Sequence, residues 1–555
     1  MDGRVHQTAA SQGRREERQM GLVVAASAAG TIFEWYDFFI FGSLASIIAT
    51  HFFSGVGETT GFILALLTFA AGFFVRPFGA LFFGRVGDRM GRKRAFLVTM
   101  TIMGLATVAV GFLGDAKQWG AWAPYALVGL RVLQGFAIGG EYGGAAIYVA
   151  EHASAKRRGA ATGWIQASAS FGLFLALAVV FFVRKALGED AFLAWGWRVP
   201  FLLSALLLAI SLWIRMRLNE SPLFLRMQEE DRASDAPIAE SFFRWSNLKI
   251  VLIALIGVLM GQGVVWYTAQ FYTQFFLERV IKVEPLVVYS LMMTISVVGA
   301  ALHVVFAWLS DRIGRKPVML FGLFLAVLSF FPGFRMLTEA ANPALAQATA
   351  RAPITVAADP AYCSLQFDLI GKAKFVSACD IAKSALANAG VPYRNEATNA
   401  AGATVKLGDT VLESPEGSAL SAKDLIAAKA KFQAALKKAL VTAGYPASAK
   451  SSAIDFPRTL AILLVFITAA AALYGPQAAA LVELFPTRIR YTALSVPYHI
   501  GVGWFGGFLP ATAFAIVAAT GDIYAGLWYP VIISSIGFVV TFLLLPETFR
   551  RKIDG

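Results

Sequence analysis

Glu34 and Asp37 stand three positions apart inside one long apolar stretch, while Arg76 and Arg131 stand inside two others. That spacing puts both acids on one helical face. Neighbouring carboxylates repel, and an apolar setting disfavours the charged form, so at least one of them gains the proton affinity needed to load and release H+. Among Glu34, Asp37 and Glu141, Asp37 is the first choice for a proton carrier, with Arg131 as counter-charge. Arg76 lies eight positions before Gly84, about 12 Å inward from the end of its stretch at 1.5 Å per residue, too deep for a surface charge. A guanidinium there can hold a carboxylate bidentately, or pair internally with Asp37 or Glu34.

Other polar groups sit among apolar neighbours. Gln262, Tyr267, Gln270 and Tyr272 share one stretch, and His499 and His303 occupy two more. Each is a candidate solute contact or a hydrogen-bonded packing residue. Trp35, Tyr36, Trp266 and Tyr267 could instead form an aromatic cage for a quaternary ammonium. The glycines 135, 139, 140, 143 and 144 read as a close-packing stripe between helices. No strand leads into a glycine-rich phosphate loop and no metal-ligand cluster is visible, so neither a cofactor nor a metal nor ATP-driven chemistry is expected.

These groups need a scaffold that holds them away from bulk water. The 555 residues are 57% hydrophobic and 15% charged, with a mean hydropathy of +0.63, too little polar material to coat a soluble globule. A bilayer crossing takes about 20 apolar residues. Twelve stretches qualify: 21–50, 60–84, 95–114, 121–150, 157–184, 198–216, 249–277, 285–309, 318–337, 456–483, 489–519 and 524–546. The net charge of +13 sits in short loops between alternate stretches, roughly 26 Lys and Arg on one side against roughly 5 on the other, which orients a membrane protein with both termini cytoplasmic and argues against nucleic acid as a partner. The apolar run after Arg14, Arg15 and Arg18 is far longer than a signal-peptide core, so no cleaved leader is expected.

The chain divides into a tail (1–20), a six-helix bundle (21–217), a charged cytoplasmic linker (218–248), three helices (249–337), an insertion (338–455), three helices (456–546) and a second tail (547–555). Counting spans from a cytoplasmic N-terminus places the insertion on the external, periplasmic face. It holds the only two cysteines, Cys363 and Cys379, for which an oxidising compartment favours a disulfide; a loop of that size contributes about 3 kcal/mol. Val405 to Leu412 alternates around Gly408-Asp409 like a hairpin, and Ser421 to Val441 reads as a helix capped by Ser421 and Asp424. The insertion is thus expected to be a small α+β module. Lys429, Lys431, Lys437 and Lys438 form a basic face, either solvated or turned to anionic lipid or solute.

A charged hairpin, Gly84-Arg-Val-Gly-Asp88-Arg89-Met-Gly-Arg92-Lys-Arg, recurs about 220 residues on as Ala307-Trp-Leu-Ser-Asp311-Arg312-Ile-Gly-Arg315-Lys-Pro. Repetition at corresponding places implies two related halves about a central site. Glycine permits the tight reversal, the cations stay at the lipid surface, and Asp88 or Asp311 can pair with a neighbouring helix or its N-terminal dipole. Such a hairpin acts as a conformational latch, with Gly84, Asp88, Arg89, Arg92, Asp311, Arg312 and Arg315 as its members, unless it serves topology alone.

With Glu34-Trp-Tyr-Asp37-Phe, Arg76-Pro-Phe-Gly79, Arg131-Val-Leu-Gln134-Gly135, Gly139-Gly140-Glu141-Tyr142, Gly475-Pro476 and Glu483-Leu-Phe-Pro-Thr-Arg488-Ile-Arg490, the chain resembles the major facilitator superfamily, and within it the metabolite:H+ symporters. The resemblance implies an all-α membrane fold of twelve transmembrane helices in two pseudo-symmetric six-helix bundles, in the inner membrane of a bacterium. It implies a non-enzymatic symporter that imports a small organic acid with protons, and acts as a monomer in the bilayer. Arg76, Tyr36, Gln262, Tyr267, Gln270 and His499 would meet the solute, and Asp37, Glu34, Glu141 and Arg131 would couple it to H+. Two other readings stay open: uptake of a zwitterionic osmolyte such as betaine or proline, and a membrane sensor whose outer module does the recognition. The insertion departs from the family's compact pattern, and the resemblance says nothing of its role.

Overall fold

A computed structural model describes residues 28–90, 92–140, 142–216, 236–364, 376–399, 402–487, 489–551 and 553. Eight of its helices are individually long and apolar enough to cross a membrane: Glu58–Arg85, Arg158–Leu187, Trp245–Val280, Pro285–Ile313, Arg315–Ala341, Phe456–Leu484, Arg490–Thr520 and Ala525–Leu544. Two bent pairs, Ala28–Ser43 with Ala45–Phe52 and Glu189–Gly196 with Arg198–Ile214, bring the number to ten. The remaining two expected stretches are Arg92–Phe112 and the helix Trp122–Ile138, which resumes after the glycine pair as Tyr142–His152. In chain order these elements are called the first to twelfth spans.

Their packing has an internal symmetry. The most extensive seam between the halves joins the fifth span to the eighth, and the second span meets the eleventh in another inter-half seam. Adding six to each member of the pair two and eleven, counted round the twelve, gives eight and five. The same offset relates the contact of spans three and six to that of nine and twelve. Two similar six-helix bundles related by a pseudo-two-fold axis account for this pattern. Large apolar side chains including Phe82, Phe112, Phe182 and Phe542 are exposed on the outside, an arrangement suited to lipid and costly in water.

Several boundaries differ from the sequence expectation. The seventh span begins at Trp245 and the ninth continues to Ala341. Polar residues such as Asn247 and Glu339 concealed this, because a helix can run past the apolar segment that defines a crossing. The sixth span is preceded by the bent segment Glu189–Gly196. A short helix, Pro237–Phe242, leads into the seventh span; the predicted linker up to residue 235, the first tail (1–20) and residues 552, 554 and 555 of the second lie outside the described residues.

Between spans nine and ten, four strands, β1 (Ile354–Ala358), β2 (Arg394–Ala397), β3 (Ala403–Leu407) and β4 (Thr410–Ser414), form one sheet in the order β2-β1-β3-β4. β1 and β2 run parallel, the other pairs antiparallel. Gly408, at φ +55°, makes the tight β3–β4 turn, with Leu407 opposite Thr410. Helices Ala378–Ala389 and Ala422–Thr442 complete the α+β module. Ser421 Oγ accepts from Asp424 N at 3.2 Å and donates to the Asp424 carboxylate at 2.6 Å, the reciprocal cap expected of that pair. Phe432 and Leu436 turn that helix inward while Lys431, Lys437 and Lys438 face solvent. A disulfide joins Cys363 to Cys379 across a Cα–Cα distance of 5.3 Å.

The glycine stripe of the fourth span brings backbones together. A Cβ on Gly135 would stand 1.8 Å from Gly72 O, and one on Gly139 would stand 2.2 Å from Arg76 O. The second and fourth spans therefore touch main chain to main chain, which fixes the depth at which Arg76 and Arg131 face each other. Gly135→Ala should force these helices apart and destabilise the protein by about 1–3 kcal/mol, read as a lowered melting temperature in detergent; an unchanged melting point would show that the seam tolerates separation.

Candidate functional site

Two guanidinium groups converge on one phenyl ring in the N-terminal bundle. Arg76 Cζ lies 4.1 Å from the Phe38 ring centroid and 4.2 Å from that of Phe73. Arg131 Cζ lies 4.4 Å from Phe38 and 4.5 Å from Phe41. Arg131 Nη1 donates to Gln134 Oε1 at 2.6 Å, and Gln134 Nε2 donates in turn to Thr107 at 2.9 Å. Phe69 O accepts from Nη2 at 3.5 Å, and Nε has no hydrogen-bond partner. Arg131 is fully buried and, among the described residues, forms no ion pair. Aromatic faces and neutral amides thus carry a charge that a carboxylate would ordinarily balance.

The C-terminal bundle closes over this pair. Tyr267 is within electrostatic reach of both guanidiniums, and His499 of Arg76. The Tyr267 ring packs edge-on against Phe73 with centroids 5.3 Å apart. His499 Nε2 is 3.0 Å from Gly139 O, linking the eleventh span to the fourth across the two halves, while its Nδ1 is unbonded. Gln262 and Gln270 are buried; Gln262 Oε1 and both amide atoms of Gln270 have no hydrogen-bond partner. Unsatisfied buried amides on a span that faces the other half are groups a polar solute can engage.

The acids lie elsewhere. Asp37 is 4% exposed, its Oδ1 is unbonded, and its neighbours are Ser204 of the sixth span and Glu34. It makes no ion pair with Arg76, so of the two acids expected as that arginine's possible internal partner Asp37 is not one: successive residues of the first span point Phe38 toward the second and fourth spans and Asp37 toward the sixth. Tyr36 also faces the sixth span, where its hydroxyl donates to Pro200 O at 2.7 Å. Trp35 and Trp266 both stack on Phe39, at 5.0 and 5.2 Å, while Tyr36 is held at Pro200, so the four aromatic residues do not close a common cage. Tyr272 packs on Phe334 of the ninth span, and His303 bonds to Gly299 O within its own helix. Glu141 lies outside the described residues.

At the face bearing the repeated hairpins, a charge network ties the halves together. Asp311 accepts from Gly159 N and Ala160 N, each at 2.8 Å, at the start of the fifth span, where a carboxylate is favoured by the helix dipole. Arg315 pairs with Asp311 at 2.7 Å and with Glu483 at 3.2 Å, and Arg158 pairs with Glu483 at 2.9 Å. Thr548 donates to Glu483 at 2.9 Å. Arg490 pairs with Glu151 at 2.8 Å. Arg312 stands apart from this network, with its guanidinium 3.8 Å from the Trp308 ring centroid, because it is one residue on from Asp311 and so about 100° further round the helix. Gly84 leaves room for Tyr491, 3.4 Å from its would-be Cβ. The side chains of Asp88, Arg89 and Arg92 lie outside the described residues.

Arg158, Glu151, Glu483 and Arg490 are members that sequence reasoning did not single out as site residues. Arg158 and Glu151 are signalled only by position, at helix ends beside the hairpins, while Glu483 and Arg490 stand in a segment that carries the family resemblance without a stated role; the pairing of Arg158 with Glu483 bridges 325 residues. Asp311→Asn should loosen the two backbone bonds to the fifth span and shift the population toward a state open on this side. A cysteine placed at buried Ala307 should then react several-fold faster with a water-soluble maleimide, since local opening sets the rate; equal rates would remove Asp311 from the latch.

Comparison with known proteins fits this architecture. Residues 22–242 match the family model for "Sugar (and other) transporter". The shikimate transporter of Escherichia coli is 34% identical over 347 residues, 61% of this chain and 77% of that protein. A glycine betaine/proline/ectoine/pipecolic acid transporter of Dickeya dadantii is 33% identical, over 57% of this chain and 65% of that one. Among solved structures, a proton:xylose symporter superposes with a TM-score of 0.63 at 14% identity, covering 97% of this chain and 98% of that chain.

Proposed function

Because the chain belongs to the major facilitator superfamily, as a multi-pass permease and not an enzyme, we propose that it is a symporter importing a small organic acid with protons by alternating access. The observation that carries the reading is Arg131, a buried guanidinium with no carboxylate partner among the described residues, 4.4 Å from the ring that Arg76 also covers. Two cations at one depth in a low-dielectric interior repel each other, and a solute carboxylate between them offsets that cost. An anion is therefore a better fit than a zwitterion, whose ammonium would need a cage. The rings proposed for such a cage are engaged with Phe39 and Pro200.

The proton side of the cycle falls to Asp37. Its carboxylate lies between the first and sixth spans beside Glu34, with Ser204 in place of a cation, so solute and proton would occupy separate places in one bundle. Tyr267, His499, Gln262 and Gln270 supply the face of the opposite half that closes on the solute. The latch around Asp311 and Glu483 holds the cytoplasmic side shut until both are loaded. The charge asymmetry of the loops puts that face and both termini inside, and the insertion outside, in a bacterial inner membrane. One charge moved across about 100 mV supplies about 2.3 kcal/mol, which supports roughly 50-fold accumulation before any pH gradient is added.

The deciding experiment is uptake into proteoliposomes with an imposed inward proton gradient. Succinate or an alicyclic hydroxy acid should accumulate and should not be displaced by excess betaine. Accumulation of betaine instead would move the substrate class to osmolytes, and no accumulation of either would favour a sensor.

Arg76→Ala should abolish carboxylate uptake while the protein remains folded by its melting profile; near-normal uptake would take Arg76 out of the solute site. Asp37→Asn should leave solute exchange running but remove its dependence on the pH gradient, the loss of a group that must be charged in one half-cycle and neutral in the other. A retained pH dependence would transfer that role to Glu34 or Glu141.

A further inference from the structure

The inserted domain is rooted in the C-terminal half but reaches both. Asp455 N bonds to Ala340 O at 2.9 Å and Asn342 Nδ2 to Ile281 O at 2.9 Å. Tyr393 N and Asn395 Nδ2 bond to Gly521 O and Thr520 O at 3.1 and 2.8 Å, at the end of the eleventh span. Across the gap, Thr59 at the start of the second span donates to Asn388 Oδ1 at 3.0 Å. Between these contacts lies a cavity of about 330 Å³, large enough for a small metabolite. Its apolar walls include Phe62, Val391, Phe514 and Ile523.

Two acids, Glu58 and Glu278, and two bases, Arg279 and Lys282, line this cavity, and they are unequally engaged. Arg279 is committed to Glu58 at 2.7 Å and to Ser46 Oγ at 2.9 Å, and Glu278 accepts from Gln274 at 3.1 Å. Lys282 has no ion-pair partner among the described residues; its ammonium donates to Ala389 O, which leaves two further N–H donors. Its backbone adopts φ +57°, shared in sign among described non-glycine residues only with Arg550, a conformation that costs about 1–3 kcal/mol and is kept only where surroundings impose it. The insertion imposes it here, since Ala449 N donates to Lys282 O at 3.0 Å while Ala389 O takes the side chain. Burial pushes the Lys282 ammonium down from the ordinary lysine range, which an incoming anion would reverse. Asn388 contributes its amide nitrogen, its oxygen being taken by Thr59.

We propose that this cavity is a second, peripheral site for a small carboxylate at the external mouth, with Lys282 as the charged anchor, Asn388 as the second donor and the phenyl walls of Phe62 and Phe514 around its carbon skeleton. The proposal rests on the reading of the chain as a carboxylate importer and deepens it. The site holds solute outside the central guanidinium pair, and occupying it requires the insertion, both halves and the bend at Lys282 to be in place. Its consequence is capture at low solute concentration, by the focusing of an anion into a cation-bearing, low-dielectric mouth.

The test uses the full-length protein in proteoliposomes, with succinate as the probe. A membrane-impermeant lysine-acylating ester is applied from outside, and modification of Lys282 is followed by mass spectrometry. Succinate should slow that modification several-fold in the wild type and equally in Arg76→Ala, whose central site is disabled. In uptake, Lys282→Gln should lower kcat/KM for succinate about tenfold, and Lys282→Arg should recover most of it. Unprotected Lys282 in a protein that does accumulate succinate would overturn the peripheral site and leave the proposed function standing. Protection in a protein that accumulates no succinate would do the reverse.

Discussion

A charge inside a lipid-solvated protein must be compensated by something other than water, and the described structure meets that constraint in three ways. Around Glu483 the compensation is complete: two guanidiniums and a hydroxyl converge on one carboxylate. Asp37 has a serine and a second acid beside it and, among the described residues, no ion-pair partner. Arg131 has aromatic faces and amides and, among the described residues, no carboxylate. Ion-paired acids, an acid beside a serine and a guanidinium among rings are thereby sorted to the rim that bears the repeated hairpins, the wall beside the sixth span and the surroundings of Phe38. The sorting depends on backbone proximity, since only glycines 72 and 135 in contact allow spans two and four to present both arginines at one depth.

The same constraint explains the division between rigid and movable parts. Replacing a fully paired buried carboxylate leaves two cations stranded, at a cost of about 3–5 kcal/mol, which makes the rim a sharp switch. The seam between halves at mid-depth is instead aromatic, with Phe39 against Trp266 and Phe69 against Phe271. Such contacts lose modest energy when they slide. A strong, directional closure at one face and a yielding one at the centre suit a protein whose halves must separate from alternate sides.

Much of this was legible in the sequence, for reasons that differ by element. Long apolar runs mark spans because bilayer thickness fixes their length. Gly408-Asp409 and the Ser421–Asp424 pair mark a turn and a cap because those geometries restrict residue type locally. The two cysteines of the inserted module had only each other. Direction was not legible. One residue separates Phe38 from Asp37, yet they serve different walls, and nothing in the spacing says which wall is which. Nor was the partner of Glu483 visible, because a bond between residues 158 and 483 is created by tertiary packing alone. The turned-away Arg312 illustrates the same point: membership of a motif gave its neighbourhood, while the helix phase decided its contact.

The inserted domain enters and leaves the C-terminal half at adjacent points, Asn342 and Asp455, and is crosslinked within itself by a disulfide. It must therefore ride with that half as a lever arm. Small rotations of the helices beneath are magnified at its far edge, along the helix Ala422–Thr442. A protein otherwise sunk in lipid thus carries its own goniometer needle, an exposed, folded landmark whose tilt reports the angle between halves and which gives particle-alignment imaging or a raised binder something to grip.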